Sequence, residues 1–271
     1  MIMIAILMAT YNGSRYLREQ IDSILSQTND NWQLYIHDDG STDSTMDIIL
    51  EYCNKYIGKI VYLNDAQKHR GAAMSFMYLL KQVEADYYMF CDQDDVWLPN
   101  KVEQEFKSIT EYSNEKPILV FSDLYIVDEK LNVIEKSYWR YMRFFDIIYS
   151  NNNVNLLKTV NYVTGCTVMF NRNCRDLAIN IDCNYIDMHD SLVALCVVGS
   201  DGVLLPIAEP LLKYRQHDLN VVGARNVRLG IFDSLKFNYL RYKMSNCVCR
   251  FNFIAFIYYR CLFFFKKYVL L

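Results

Sequence analysis

Hydrophobic and polar positions in the first half of the chain fall into two alternating patterns. Short apolar runs suited to strands cover residues 3–9, 32–38, 59–64, 86–92 and 118–123. Between them apolar residues recur at helical spacing over 14–26, where Leu17, Ile21, Ile24 and Leu25 share a face, and over 42–56, where Met46, Ile49, Leu50 and Cys53 do. The same spacing covers 72–83 and 101–113. Strand and helix in turn is the rhythm of a sheet covered by helices, so the expected fold class is α/β with a mostly parallel central sheet. Ligands of such sheets gather where strands end and loops begin. Polar clusters at Thr10 to Gly13, Asp38 to Ser41 and Asp92 to Asp95 each end a predicted strand, and all are expected on one edge.

The second half is less regular. It predicts a turn at 128–132, a loop-rich segment over 137–155, a strand at 163–171, a helix at 188–198 and a strand at 211–215. From about residue 229 the chain is aromatic, basic and helical. The expected organisation is a main domain over 1–225, divided near 125, and a helical tail over 226–271.

With 271 residues and 52% hydrophobic content the chain can bury a large core, as one domain of about 200 to 250 residues or a domain with an appendage. The nine cysteines are scattered and odd in number, which fits a reduced, cytoplasmic setting, and Cys247 and Cys249 lack zinc-site spacing. The start of the chain has no basic region before its apolar run, so no signal peptide is expected, and no uncharged apolar stretch is long enough to span a bilayer.

Charge changes the picture of the tail. Residues 226–271 hold eight Lys or Arg and one acidic residue, Asp233. Such asymmetry suggests an anionic partner. The run 253–265 is apolar except for Arg260 and is followed by Lys266 and Lys267, a length suited to insertion at a membrane interface through 229–271. Packing on the main domain, or on a second subunit of an oligomer, competes with that reading. Nucleic acid is set aside for lack of a recognised motif.

The candidate chemistry centres on Asp92, Gln93, Asp94 and Asp95. Carboxylates crowded at a strand end repel one another unless a positive group lies between them. A divalent cation, Mn2+ or Mg2+, suits such hard oxygen ligands and shares its shell with phosphates. Glycine-rich dinucleotide, P-loop and nucleophile-elbow patterns are absent from the sequence. Thr10, Tyr11 and Asn12 suit a base or ribose, or else a turn capped by Asn12 or Ser14. Asp38 and Asp39 suit a helix start capped at Ser41 or Thr42, with one spare carboxylate able to accept the ring N–H of a uracil or thymine. His189 and Asp190 begin an apolar helix, where Asp190 is either a cap or a general base.

These elements, taken with Val96, Trp97, Leu98, Pro99, Asn100 and Lys101 and with Tyr214, Arg215, Gln216 and His217, resemble the family 2 glycosyltransferases of A-type nucleotide-sugar fold over about residues 3–225. The resemblance implies a nucleotide-sugar-binding half over 1–125 and an acceptor-side half over 126–225. It implies nucleotide contacts from Thr10, Tyr11, Asn12, Asp38, Asp39 and Asp92, and metal contacts from Asp94 or Asp95 with His217. Gln93, Trp97, Thr164, Gly165, His189 and Arg215 would face donor or acceptor, with Arg215 or His217 supplying positive charge to the diphosphate. Cys166 is expected as a packing residue. Asp190 would be the base that deprotonates the acceptor, with Asp187 in reserve.

The expected activity is an inverting, metal-dependent glycosyltransferase at the inner face of the cell membrane. Ser122, Asp123 and Leu124, the run from Val163 to Thr167 and the run from Tyr214 to Ala224 are similar to bacterial rhamnosyltransferase-like members. L-rhamnose from dTDP-rhamnose is therefore the leading expectation for the transfer, with UDP-sugars left open, onto a glycan acceptor, lipid-linked, in the synthesis of O-antigen, capsule or another surface polysaccharide. The alternatives are a sugar nucleotidyltransferase, which wants a basic triphosphate loop not found here, and a non-catalytic nucleotide- or glycan-binding subunit.

Overall fold

The computed structural model describes residues 2–151, 153–182, 186–218 and 231–268. The run from Asn220 to Ala224, part of the rhamnosyltransferase-like similarity, lies outside them. In the first half, strands β1 (Ile4–Thr10), β2 (Trp32–Asp38), β3 (Ile60–Tyr62) and β4 (Tyr87–Cys91) alternate with helices α1 (Leu17–Leu25), α2 (Thr45–Lys55) and α3 (Ala72–Gln82). There follow β5 (Val96–Trp97), α4 (Lys101–Thr110), β6 (Ile118–Val127) and β7 (Val133–Glu135). Then come α5 (Tyr138–Tyr141), α6 (Phe145–Ile148), α7 (Asn153–Leu157), β8 (Val168–Asn171), α8 (Arg172–Asn180), α9 (His189–Gly199), β9 (Val203–Arg215), α10 (Ile231–Cys249) and α11 (Phe253–Tyr268).

The strands form one sheet in the order β3-β2-β1-β4-β8-β6-β9-β5, with β7 attached to β6. β3, β2, β1 and β4 are mutually parallel, and β8 enters antiparallel between β4 and β6. Strand residues alternate between faces. In β1 and β4, Ala5, Leu7, Tyr88 and Phe90 enter the core under α3, α8 and α9, while Ile6, Met8, Met89 and Cys91 enter the core under α1, α2 and α4. Both faces are covered, which is why these strands read as unbroken apolar runs.

The segment 137–155, expected to be loop-rich, contains α5, α6 and α7, which bury Trp139, Ile147, Ile148, Leu156 and Leu157. Helices this short show no periodicity to read. The strand expected at 163–171 begins only at Val168, after a 3-10 turn at Gly165–Thr167, and the strand expected at 211–215 is the end of the longer β9. Pro206 and Pro210 within β9 mask its start. Helix α8 was not expected, although Asn171 caps it by accepting from the Cys174 amide at 3.2 Å.

Part of the tail packs on the main domain, one of the alternatives expected for it. Met244 of α10 and Phe263 of α11 join the core cluster of α9. Among the described residues no single helix is long and apolar enough to cross a membrane; 238–249 and 253–267 pass that test only as a pair bent by 120°.

Candidate active site

β1 and β2 stay in register to Thr10 and Asp38, so their loops leave the sheet side by side. Asp38 is buried and accepts hydrogen bonds from the Thr10 hydroxyl at 2.9 Å, the Gly40 amide at 3.0 Å and the Ser41 amide at 2.8 Å. The Ser41 hydroxyl adds a further bond at 2.5 Å. Asp38, grouped by the sequence with nucleotide contacts, and buried Thr10 therefore organise the loop itself. Asn12, at φ 48°, takes the Thr42 amide on its carboxamide oxygen at 2.8 Å and donates its own amide to the Ser41 hydroxyl at 2.8 Å. Neither α1 nor α2 has a side-chain cap. The residues expected as caps instead tie one loop to the other.

Asp39 accepts the Arg70 and Gly71 amides, each at 2.8 Å, just ahead of α3. Tyr11 is 49% exposed, and its ring meets His69 edge-on at 5.9 Å between centroids. The edge thus offers a carboxylate beside exposed aromatic surface, a combination that suits a planar base. The segment around His69 and Arg70 carried no signal in the sequence.

β4 ends in the acidic cluster on the same edge. Gln93 exchanges two hydrogen bonds with the Tyr11 backbone, at 2.9 and 3.0 Å, and so fixes the first loop. Trp97 is 2% exposed and packs in the core, which removes it from the expected donor contacts. Asp94 faces His217, with Oδ2 and Nε2 2.7 Å apart. Arg215 is buried: its Nε donates to the Asp94 carbonyl at 2.8 Å, Nη1 to the Glu129 carbonyl at 2.6 Å, and Nη2 pairs with Glu19. Its guanidinium ties three segments together and is not placed to swing onto a diphosphate.

Asp95 is fully buried. Its Oδ1 accepts the Arg215 amide at 3.1 Å, and its Oδ2 has no hydrogen-bond partner. Burial, with the charges of Asp94 and Asp92, pushes its carboxyl well above the usual range. Burial also raises half-buried Asp92, to about 7, helped by the charges of Asp94 and Asp190. Asp92, Asp95 and Cys166 each offer a ligand atom, all within 4.8 Å of one another. Cys166, expected only to pack, thus lies among the carboxylates. An orphaned buried oxygen and two carboxyls raised by crowding are what a bound cation relieves, so the residues present fit a divalent metal. The chain offers two neighbouring ligand groups, Asp94 with His217 and Asp92 with Asp95 and Cys166.

Across the cluster, α9 begins at His189. Its cap position, Met188, makes no side-chain bond, and Asp190 lies within the first turn, so Asp190 is not a cap. Burial pushes its carboxyl up to about 7. The Ser191 amide, which donates to Oδ1 at 2.5 Å, opposes that rise, Asp187 adds to it, and Arg241 opposes it. Gly165 makes the approach possible, because a Cβ there would lie 3.0 Å from the His189 ring and 3.5 Å from Asp190 Oδ2. His189 stacks on Phe76 at 4.0 Å and meets Phe90 edge-on at 4.6 Å; burial lowers it to about 3. It packs as an aromatic of the core, with neither ring nitrogen hydrogen-bonded. Burial raises the phenol of Tyr138 in α5, helped by the nearby charges of Cys166 and Asp190 and opposed by a hydrogen bond with Thr164. No sequence signal marked Tyr138.

The comparisons agree with this geometry. The sequence profile described as "Glycosyl transferase family 2" matches residues 5–176. The chain is similar to the dTDP-rhamnosyl transferase RfbG of Shigella flexneri, 27% identical over 231 residues, which are 80% of this chain and 74% of that one. It is 32% identical over 128 residues to an uncharacterised glycosyltransferase of Rickettsia typhi, covering 47% of this chain. The chain spans only 38% of that relative's length and 26% of a Rickettsia felis relative's. Among solved structures, S. aureus TarS in complex with UDP-GlcNAc superposes with TM-score 0.64 at 14% identity, over 99% of this chain and 76% of that one. The mannosyltransferase PcManGT of Pyrobaculum calidifontis, in complex with GDP-Man and Mn2+, does so with TM-score 0.58 at 12% identity, over 95% and 73%. The profile covers strands β1 to β8 and the strand-end cluster, and the chain belongs to glycosyl transferase family 2, with the A-type fold.

Proposed function

We propose that the protein is an inverting, metal-assisted glycosyltransferase that moves a sugar from a nucleoside-diphosphate donor onto a glycan acceptor. The observation that carries this reading is the facing of two groups at one strand edge: the Asp92–Asp95 cluster and Asp190, a buried carboxylate held near neutral pKa. A general base works best when its pKa lies near the working pH. Asp190 takes the proton of the acceptor hydroxyl as that oxygen attacks the anomeric carbon, and the donor diphosphate departs on the side of Asp92, Asp94 and Asp95. Attack opposite the leaving group inverts the anomeric centre. A divalent cation held by these carboxylates, with His217 or Cys166, supplies neutralising charge to the diphosphate. Asp39 and Tyr11 receive the base and ribose, with Gly165 and Thr164 bordering the acceptor space.

L-rhamnose from a dTDP donor is the favoured substrate, supported by the S. flexneri relative, and a lipid-linked glycan of surface polysaccharide is the favoured acceptor. The exposed Phe253, Ile254, Ile257 and Tyr258 of α11 support docking at a membrane surface, where such an acceptor would lie. No observation favours the nucleotidyltransferase or binding-subunit readings. In the test, Asp190→Asn should lower transfer by about 10²- to 10⁴-fold while nucleotide and Mn2+ binding, followed by calorimetry, stay at the wild-type level. Wild-type transfer by this variant removes Asp190 as the base. For the membrane, Ile254→Glu with Tyr258→Glu should abolish flotation with anionic liposomes and leave donor hydrolysis intact; unchanged flotation refutes the docking.

A further inference from the structure

Helix α10 carries one guanidinium into the interior, beside the proposed base. Arg241 is 1% exposed, and its Nη1 lies 3.6 Å from an Asp187 carboxylate oxygen. Its Nη2 donates to the Leu157 carbonyl at the end of α7, while Nε and Nη1 make no hydrogen bond. The other Asp187 oxygen accepts the Met188 amide at 2.7 Å, one residue before α9. Asp190 lies three residues beyond Asp187, in the first turn of α9. The positive charge of Arg241 bears on Asp190 as well as on Asp187.

The position of Arg241 is fixed by tight packing along α9. A Cβ at Gly199 would come within 3.0 Å of the Val248 carbonyl and 3.2 Å of the Cys249 thiol, so the two helices meet backbone to backbone there. The Cys249 thiol donates to the Leu195 carbonyl at 3.5 Å, and Met244 is fully buried between. A buried guanidinium is costly to desolvate and is retained where an anion and carbonyls meet it. A helix serving only to cover α9 would need no charge at this depth.

We propose that Arg241 is a positioning residue for the transfer reaction: through Asp187 and the Leu157 carbonyl it clamps the first turn of α9 and so aims the Asp190 carboxylate at the acceptor. This rests on the reading of Asp190 as base. It assigns a task in the reaction to α10, which lies beyond the residues the family profile matches. Misplacement of a reacting group by about 1 Å can cost about 10²-fold in rate.

The test uses the full chain with Arg241→Met, Arg241→Lys and Asp187→Asn. Arg241→Met should lower kcat by about 10- to 100-fold with donor KM and nucleotide affinity unchanged, Arg241→Lys should regain much of that loss, and Asp187→Asn should behave like Arg241→Met. Amide hydrogen exchange over 188–192 should speed up in Arg241→Met and Asp187→Asn, whether or not a donor is turned over. Unchanged exchange there overturns the clamp. So does a kcat equal to wild type in a folded Arg241→Met, or a loss in Arg241→Met that Lys leaves unrepaired although its thermal stability matches wild type. If Arg241→Met does not fold, Asp187→Asn and Arg241→Lys decide by the same readouts. Absence of turnover by the wild-type chain on any nucleotide sugar would instead sink the glycosyltransferase reading, with the exchange data still deciding the clamp.

Discussion

The loops after β1 and β2 and the region between the end of β4 and the start of α9 hold carboxylates in opposite ways. In the loops, Asp38 accepts bonds from Thr10, Gly40 and Ser41, and Asp39 accepts two amides ahead of α3. Asp43 shows the balance: partial burial raises its pKa, but hydrogen bonds from Thr45 and Ser14 outweigh that, and the carboxyl is held below its ordinary value. In the second region, burial and the charge of neighbouring carboxylates outweigh the donors that reach Asp92, Asp95 and Asp190, and all three are raised. Hydrogen bonds to the ionised form make a carboxylate part of the scaffold; desolvation makes it ready to take up a proton or a cation.

The sharpest way to break this comparison lies between α4 and β6, where Lys101 and Glu105 form a fully buried ion pair joined by the Ser122 hydroxyl. Lys101→Met leaves Glu105 buried without its partner and should cost about 3–5 kcal/mol in urea unfolding, whereas adding Glu105→Leu should recover most of the loss. A double variant no better than the single one would mean that desolvation does not govern this region.

Asp190 gives the next largest effect, and its sign follows from its raised carboxyl. The folded chain holds the proton more tightly than the unfolded one, so the contribution is fully present below the ordinary value of about 4 and is lost as pH rises through about 7. The stability of Asp190→Asn relative to wild type should therefore grow between about pH 4 and 8, by up to about 4 kcal/mol. A difference flat across pH would mean that burial does not raise the Asp190 carboxyl. A more stable variant that no longer transfers would show that the site accepts a stability penalty to keep its base.

On the loop side, Asp38→Ala strands the Thr10 and Ser41 donors and should cost about 2 kcal/mol, with nucleotide affinity falling because Asn12 and Ser41 lose their brace. Smallest of all is the surface. Arg18→Ala removes an ion pair with Glu51 in which both side chains are about half exposed, and the urea midpoint should not move measurably.

The two regions also differ in how they could be read from sequence. The loop region follows from local pattern: β2 was placed residue for residue, and its polar loops were placed on the edge where they lie, because register is dictated by apolar alternation over a few residues. Individual roles there were less legible. Asp38 and Asp39 are identical neighbours, and only the donors around each separate them: Asp38 braces the loops after β1 and β2, while Asp39 holds the segment ahead of α3. Trp97 and Arg215 look like ligand contacts because aromatic and cationic residues often are, yet packing places one in the core and the other in a three-way tie.

The region around α9 gave one usable signal that was read too narrowly. Leu192 to Val198 is apolar at every position and every residue is buried. A helix without a polar face must be covered on more than one side, which points to a further layer such as α10. Which residue of that layer would reach the site was not legible, because Arg241 in sequence is one basic residue among several in the tail.

By itself the sequence determined the α/β alternation, the parallel character of the first strands and their shared edge, since each depends on periodicity and short-range spacing, and its motifs carried the resemblance to the family. Only the tertiary structure decided which carboxylates are scaffold and which are poised, that Cys166 joins Asp92 and Asp95, that His189 is buried neutral among Phe76 and Phe90, and that Arg241 sits behind Asp187. The physical reason is that the ionisation and availability of a side chain are set by the solvent it loses and the donors it gains, and both are supplied by residues remote in the chain.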